Sequence, residues 1–200
     1  MRFKTRKPQK IVCSYYHRRT VVSSRQNYPF VRIEVVPEGI KLFLPPETNY
    51  REILRKHGSW IRRKVDIFRL SYELSGKIEL GQTAESLFKN RIRKLVSKLA
   101  GELEVPVKRV YCRYMKTKWG SWSSNGVLTL NKFLRFLPEN LIRYVVIHEL
   151  LHFYEPHHNE NFYRLLSAHA SDYEQLDMLL MAYWICLRKG GYANNFLSKG

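Results

Sequence analysis

The stretch His148-Glu149-Leu150-Leu151-His152 brings two imidazoles and a carboxylate into five consecutive residues. The flanking residues repeat with helical periodicity. Four positions make slightly more than one helical turn, so His148 and His152 project from one face, one above the other. Two imidazoles stacked in this way can grip one Zn²⁺ at about 2.0–2.1 Å each. Glu149 lies roughly 100° round the helix, within reach of a metal-bound water without being a ligand. Two metal ligands, a general base and open coordination positions are the parts of a zinc hydrolase. Glu149 is thus the candidate catalytic base and Zn²⁺ the candidate cofactor.

A third ligand is needed. His157 and His158 follow just after Pro156, which disfavours helical geometry at the residue before it. The chain can fold back there, and His158 would place the ligands at offsets 0, 4 and 10. Metzincins use those offsets with a glycine in the turn, where this chain has Glu155, so their motif is not matched. His157, Glu160, His169 and Glu174 are alternatives for the same position.

The elements that must hold these groups can be read along the chain. Pro138 and Glu139 suit a helix start, and the helix should run to about Glu155. Apolar residues from Leu141 to Tyr154 cover nearly every face, so the helix should be buried. A carboxylate inside such a helix must be paired or neutralised, and a bound dication would resolve that conflict. Upstream, Phe30 to Val36 and Ile40 to Leu44 alternate around Pro37-Glu38-Gly39 as a β-hairpin. An earlier strand is expected around Ile11 to Tyr16. Asn49 through Leu70 reads as a helix with Ile53, Leu54, Trp60, Ile61, Val65 and Phe68 as its apolar set and a break near Gly58. Ser71 to Gln82 reads as a linker. Thr83 then caps a helix whose core stripe is Leu87, Ile92, Leu95, Val96 and Leu99. Val107 to Tyr114 and Gly126 to Asn131 read as strands, with a polar loop carrying Trp119 and Trp122 between them.

Bulk properties narrow the class. The 200 residues are 44% hydrophobic, enough for a core without disulfide support. Cys13, Cys112 and Cys186 are odd in number and far apart, which fits free thiols in a reducing compartment. No N-terminal apolar stretch resembles a signal peptide, and the longest apolar run, Met178 to Leu187, is too short for a membrane span. These features lead to the expectation of a cytoplasmic protein with no membrane partner. The 35 Lys and Arg against 17 Asp and Glu give a net charge of +18. Such an excess attracts polyanions, so nucleic acid or a nucleotide is a candidate partner through the basic surface.

Lys116-Thr117-Lys118-Trp119-Gly120-Ser121-Trp122-Ser123, Leu128-Thr129-Leu130-Asn131, Val145 through His152, His158 and Phe162-Tyr163 occur in that order. Together they resemble the YgjP-like metallopeptidase family, whose pattern runs R-W-G-S-C-S, L-x-x-N, V-V-x-H-E-L-x-H and N-H-S-x-x-F-W. The N-terminal hairpin and the Trp60-Ile61 helix resemble that family as well. The resemblance implies an α+β, zincin-like fold: an N-terminal β-rich part, then a small sheet packed on a buried HExxH helix, with C-terminal helices. It implies zinc ligands at His148, His152 and His158 and a base at Glu149. It favours His158 over His157, which takes the family's Asn position. Trp122 departs from the family's Cys, and Asn159 from its Ser. Similarity to the SprT-like proteases, which act on DNA-bound proteins, is looser.

Residues 1–75 should form the hairpin-and-helix part and 76–200 the catalytic part, together one compact unit. The first functional reading is a zinc metallopeptidase acting on a peptide or protein, with Glu149 activating a zinc-bound water. Leu128 to Asn131 is expected to form a sheet edge where an extended peptide adds as a strand. Tyr163 and Arg143 are candidates to stabilise the oxyanion. A zinc-dependent nucleotide or phosphoester hydrolase is the second reading, and a nucleic-acid-binding protein with structural zinc the third.

Overall fold

The computed structural model describes residues 9–15, 18–24, 30–36 and 39–192, with side chains described at 20–21, 30–36 and 39–192. The chain forms two compact units, Met1–Leu70 and Ser71–Gly200.

The first unit carries a four-stranded sheet in the order β1-β2-β4-β3, from β1 (Gln9–Tyr15), β2 (Arg18–Ser24), β3 (Arg32–Val36) and β4 (Gly39–Leu44). The expected hairpin is the antiparallel pair β3–β4, with Val35 opposite Ile40. Its turn residues Pro37 and Glu38 lie outside the described residues, as does the side chain of Cys13. β4 is one of the two inner strands, pairing β2 in parallel on its other side. Its Ile40, Leu42 and Leu44 alternate inward at 0–1% exposure. The helical stretch that follows is broken into α1 (Tyr50–Lys56) and α2 (Gly58–Ser75), the break falling at His57 beside Gly58. Leu54 and Ile61 join the core, whereas Trp60 stands 43% exposed and is not part of the apolar face. α2 also runs on to Ser75, through the start of the stretch read as a linker.

The second unit is built on α4 (Glu139–Leu151), which packs against α3 (Glu85–Glu102), α5 (Glu160–His169), α6 (Tyr173–Lys189) and a three-stranded sheet. That sheet runs β5-β7-β6, from β5 (Arg109–Arg113), β6 (Gly120–Ser123) and β7 (Val127–Asn131). β6 lies inside the segment read as a polar loop. Its Gly and Ser residues are turn formers rather than strand formers, and only pairing with β7 makes them extended. β7 is therefore the middle strand, parallel to β5 and antiparallel to β6, and not the sheet edge expected of Leu128 to Asn131. The edge beside α4 is β6.

α3 begins after Ala84 with no side-chain cap, so Thr83 does not cap it. Its buried stripe is Phe88, Ile92, Val96 and Leu99; Leu87, one position away and so about 100° round the helix, is 64% exposed. α4 is buried nearly all round, as its composition requires, with Leu141, Val146 and Leu150 at 0% exposure. It ends at Leu151 rather than Glu155. Phe153 and Tyr154 donate to carbonyls three residues back, Leu150 and Leu151, at 3.0 Å each, which tightens the last turn before Pro156. The Tyr154 hydroxyl donates to the Leu103 carbonyl at 2.6 Å and ties that turn to the end of α3. No described helix is long and apolar enough to cross a membrane.

Candidate metal centre

His148 lies in the last turn of α4, and His152 is its C-terminal capping residue. His158 stands beyond Pro156, one residue before Asn159, whose side chain accepts from the Phe162 N–H and starts α5. The turn at Pro156 thus returns the chain to the helix end it has just left. One nitrogen from each of His148, His152 and His158 lies within 4.8 Å of the others. The His148 and His158 Nε2 atoms face each other at 2.9 Å. His157, Glu160, His169 and Glu174 are not part of this group.

The donor chemistry fits a divalent ion. Burial holds the His148 imidazole down at about 3, with the neighbouring His158 and His152 adding to the effect, so the ring is neutral and its lone pair available. Burial likewise lowers His158. The Nδ1–H of His152 donates to the Glu155 carbonyl at 3.0 Å, which fixes the ring and leaves the Nε2 lone pair available to a metal. Phe162, fully buried, forms the floor beneath all three rings, with centroids 4.9, 4.7 and 4.7 Å from His148, His152 and His158.

Glu149 lines the same cleft as the three histidines and is 9% exposed. Burial raises its carboxyl to about 7, against the opposing pull of the Lys118 ammonium and a hydrogen bond from the Trp122 backbone N–H. Its side chain lies flat against β6. A Cβ on Gly120 would sit 2.6 Å from Glu149 Cγ and 2.9 Å from Oε1, so only glycine leaves room for the carboxylate there. A glycine inside a strand marks such close approach, but here the strand itself was not legible. The role of the Trp-Gly-Ser-Trp segment is therefore to seat Glu149, a function missed in reading it as a loop.

Asn131 organises the approach to β6. It is fully buried, and its amide donates to the carbonyls of Met115 and Lys118 at 2.9 and 2.7 Å, while its Oδ1 accepts from the Phe133 N–H at 3.1 Å. One side chain thus pins the 115–119 turn and caps the short 3-10 helix Lys132–Phe136. Trp119 meets Trp184 edge to face at 4.9 Å, and Trp122 meets Phe153 at 6.2 Å. Both tryptophans also line the cleft, which has a volume of about 670 Å³. Tyr163 stands beside His158, ring centroids 6.4 Å apart. Arg143 pairs with Glu102 of α3 at 3.6 Å and does not line the cleft, so it is not in position to meet an oxyanion.

Residues 75–183 match the family described as YgjP-like, metallopeptidase domain. Among solved structures, the chain is 28% identical to the metallopeptidase zymogen of Methanocaldococcus jannaschii jannalysin, over 44% of this chain and 90% of that one, with a TM-score of 0.39. It is 25% identical to the metallopeptidase zymogen of Pyrococcus abyssi abylysin, over 38% of this chain and 76% of that one, with a TM-score of 0.35. No curated protein matches the chain in sequence.

Proposed function

This chain belongs to the YgjP-like metallopeptidase domain family, and from that premise we propose that His148, His152 and His158 hold Zn²⁺ while Glu149 acts as the general base of peptide-bond hydrolysis. The observation that carries this reading is the convergence of three imidazole nitrogens within 4.8 Å beside a buried carboxylate from the same helix. Three nitrogen ligands facing an open cleft suit a catalytic site, since structural zinc sites are closed by a fourth protein ligand. Bound zinc would supply Lewis acidity, acidifying a water and polarising the scissile carbonyl.

The residues of the chain do the rest. Glu149 takes a proton from the attacking water at its carboxylate and returns it to the leaving amine. The Trp122 N–H and the bare backbone of Gly120 hold that carboxylate in one orientation. β6 offers the docking edge. The Trp119 carbonyl accepts from the Asn131 N–H at 2.8 Å, so by the alternation of an antiparallel ladder Gly120 and Trp122 turn their backbone groups away from β7. With the Trp122 N–H taken by Glu149, an extended peptide would pair there through the Gly120 N–H and the Gly120 and Trp122 carbonyls. Phe162 and the apolar flank of α4 keep bulk water from beneath the site.

The test is Glu149→Gln. Peptidase activity should fall by roughly 10²–10⁴-fold, with metal content and melting temperature unchanged. Wild-type turnover in this variant would remove Glu149 from the role of base.

A further inference from the structure

β6 and α4 meet through two successive contacts. Side chains two apart on a strand share one face, so Trp122 points the same way as Gly120, towards α4. Residues four apart stack on one side of a helix, and Phe153, in the turn that ends α4, lies one turn beyond Glu149. Gly120 therefore meets Glu149, and Trp122 meets Phe153, edge to face with ring centroids 6.2 Å apart. Both rings line the cleft with His148, Glu149 and His152. Trp122 is half-buried, and Phe153, the residue next to His152, stands 44% exposed. Phe153 also meets Tyr154 edge to face at 5.0 Å, and the Tyr154 hydroxyl is tied to Leu103. Trp122 is held by its pairing with Leu128 of β7. A single apolar side chain in solvent is ordinary. Two rings in contact, on fixed backbone, in the cleft that holds the three histidines are a surface shaped before a substrate arrives.

We infer that Trp122 and Phe153 form the subsite for one large apolar or aromatic side chain of a peptide substrate, close to the bond that is cut. A peptide paired along β6 would set one of its side chains beside that of Trp122, since residues directly opposed on one face of a ladder have Cβ atoms about 4.5–5.5 Å apart. From the Gly120–Glu149 contact to the Trp122–Phe153 contact is a step of two strand residues, about 7 Å. The side chain over the two rings then belongs to a residue within about two positions of the peptide bond that faces Glu149. Aromatic rings offer large apolar faces, and ring pairs gain from edge-to-face or offset contact beyond the area they bury. A short or polar side chain would leave both rings in water. Trp122 is also where this chain departs from the Cys of the family pattern, so the subsite is a feature of this chain rather than of the pattern.

The inference rests on the peptidase reading, and binding tests it apart from turnover. In zinc-loaded Glu149→Gln protein, a short dye-labelled peptide of alanine and serine with one central phenylalanine is titrated by fluorescence anisotropy. Its partner carries serine in place of the phenylalanine. The phenylalanine peptide should bind about tenfold more tightly, the worth of burying such a side chain in part. The ratio within one variant cancels any general loss of fold or metal. Phe153→Ala should cut that ratio to within about threefold, and Phe153→Leu, which keeps an apolar wall, should restore most of it. Trp122→Ala, which leaves the backbone N–H on Glu149, should cut it as Phe153→Ala does. A ratio near unity in the parent, or one that either alanine substitution leaves unchanged, overturns the subsite. Selective binding by a protein whose wild type cleaves no peptide would keep the subsite and overturn the peptidase reading alone. In wild-type enzyme, mass mapping of the products should place the cut within about two residues of the phenylalanine. Cuts scattered without reference to that residue overturn the subsite.

Discussion

Gly120→Ala isolates the seating of Glu149, the proposed base. The backbone at Gly120 is not left-handed, so alanine meets no conformational penalty and the effect is one of contact alone. The added methyl would lie 2.6 Å from Glu149 Cγ and 3.0 Å from Cδ. Carbon atoms pack at about 3.5–4.0 Å, so Glu149 or β6 must move by roughly 1 Å. Glu149 is the part able to move, because β6 is clamped to β7 and its preceding turn is pinned by Asn131. A displacement of that size costs on the order of 100-fold in rate, or about 2.7 kcal/mol of activation free energy. The overpacking itself should destabilise the fold by about 1–3 kcal/mol. The assay is peptide turnover with metal stoichiometry and urea denaturation measured in parallel. We expect kcat to fall about 100-fold with the metal retained. The decisive control is the Glu149→Ala background, where the clashing atoms are gone and Gly120→Ala should then cost no stability. A Gly120→Ala enzyme with wild-type kcat, or an equal stability cost in both backgrounds, would refute the reasoning.

His158→Ala should weaken zinc binding by more than about 100-fold, a loss greater than that of an outer partner, measured by competition with a chelating dye; unchanged affinity would remove it from the ligand set. Because His158 is exposed, the same change should leave the metal-free protein within about 0.5 kcal/mol of wild type. Asn131→Ala leaves the Met115 and Lys118 carbonyls and the Phe133 N–H without their partner, and should cost about 3 kcal/mol in urea denaturation. Glu85, hydrogen-bonded to Lys132 and Lys89, has its carboxyl lowered to about 2. A depressed folded value gives stability that is present above the unfolded value near 4.5 and lost as pH falls towards 2. At 37% exposure that contribution is screened to less than about 1 kcal/mol. Glu85→Gln should flatten this part of the acid limb of the stability curve and leave its slope above pH 5 unchanged.

The legible parts of this molecule are those whose signal lies within one element. The apolar sweep of α4 with His148, Glu149 and His152 at its C-terminal end announced a buried helix carrying a metal motif, and Pro156 announced a turn able to bring His158 back. β4 was legible through its alternation. β6 was not, because Gly120, Ser121 and Ser123 have turn propensity and become a strand only through β7, a partner that local pattern does not name. Mistaking β6 for loop led directly to naming β7 as the edge. The α3 stripe failed by a single position: Leu87 and Phe88 are both apolar, and what faces the core depends on where the helix begins. The pairing of Tyr144 with Asp177 spans two helices, and no spacing in the chain marks it.

The ring of Phe162 beneath the three imidazoles has a kinetic consequence. With that face closed by a fully buried aromatic, an ion held by the proposed ligands would exchange on the side of the cleft that His148, His152 and His158 line, the side a peptide substrate would also approach. A substrate or inhibitor lying along β6 would then slow the escape of the ion beneath it, so zinc loss to a chelator should be retarded by peptide in proportion to cleft occupancy. Trimming the floor with Phe162→Ala would open a second exit and break that proportionality.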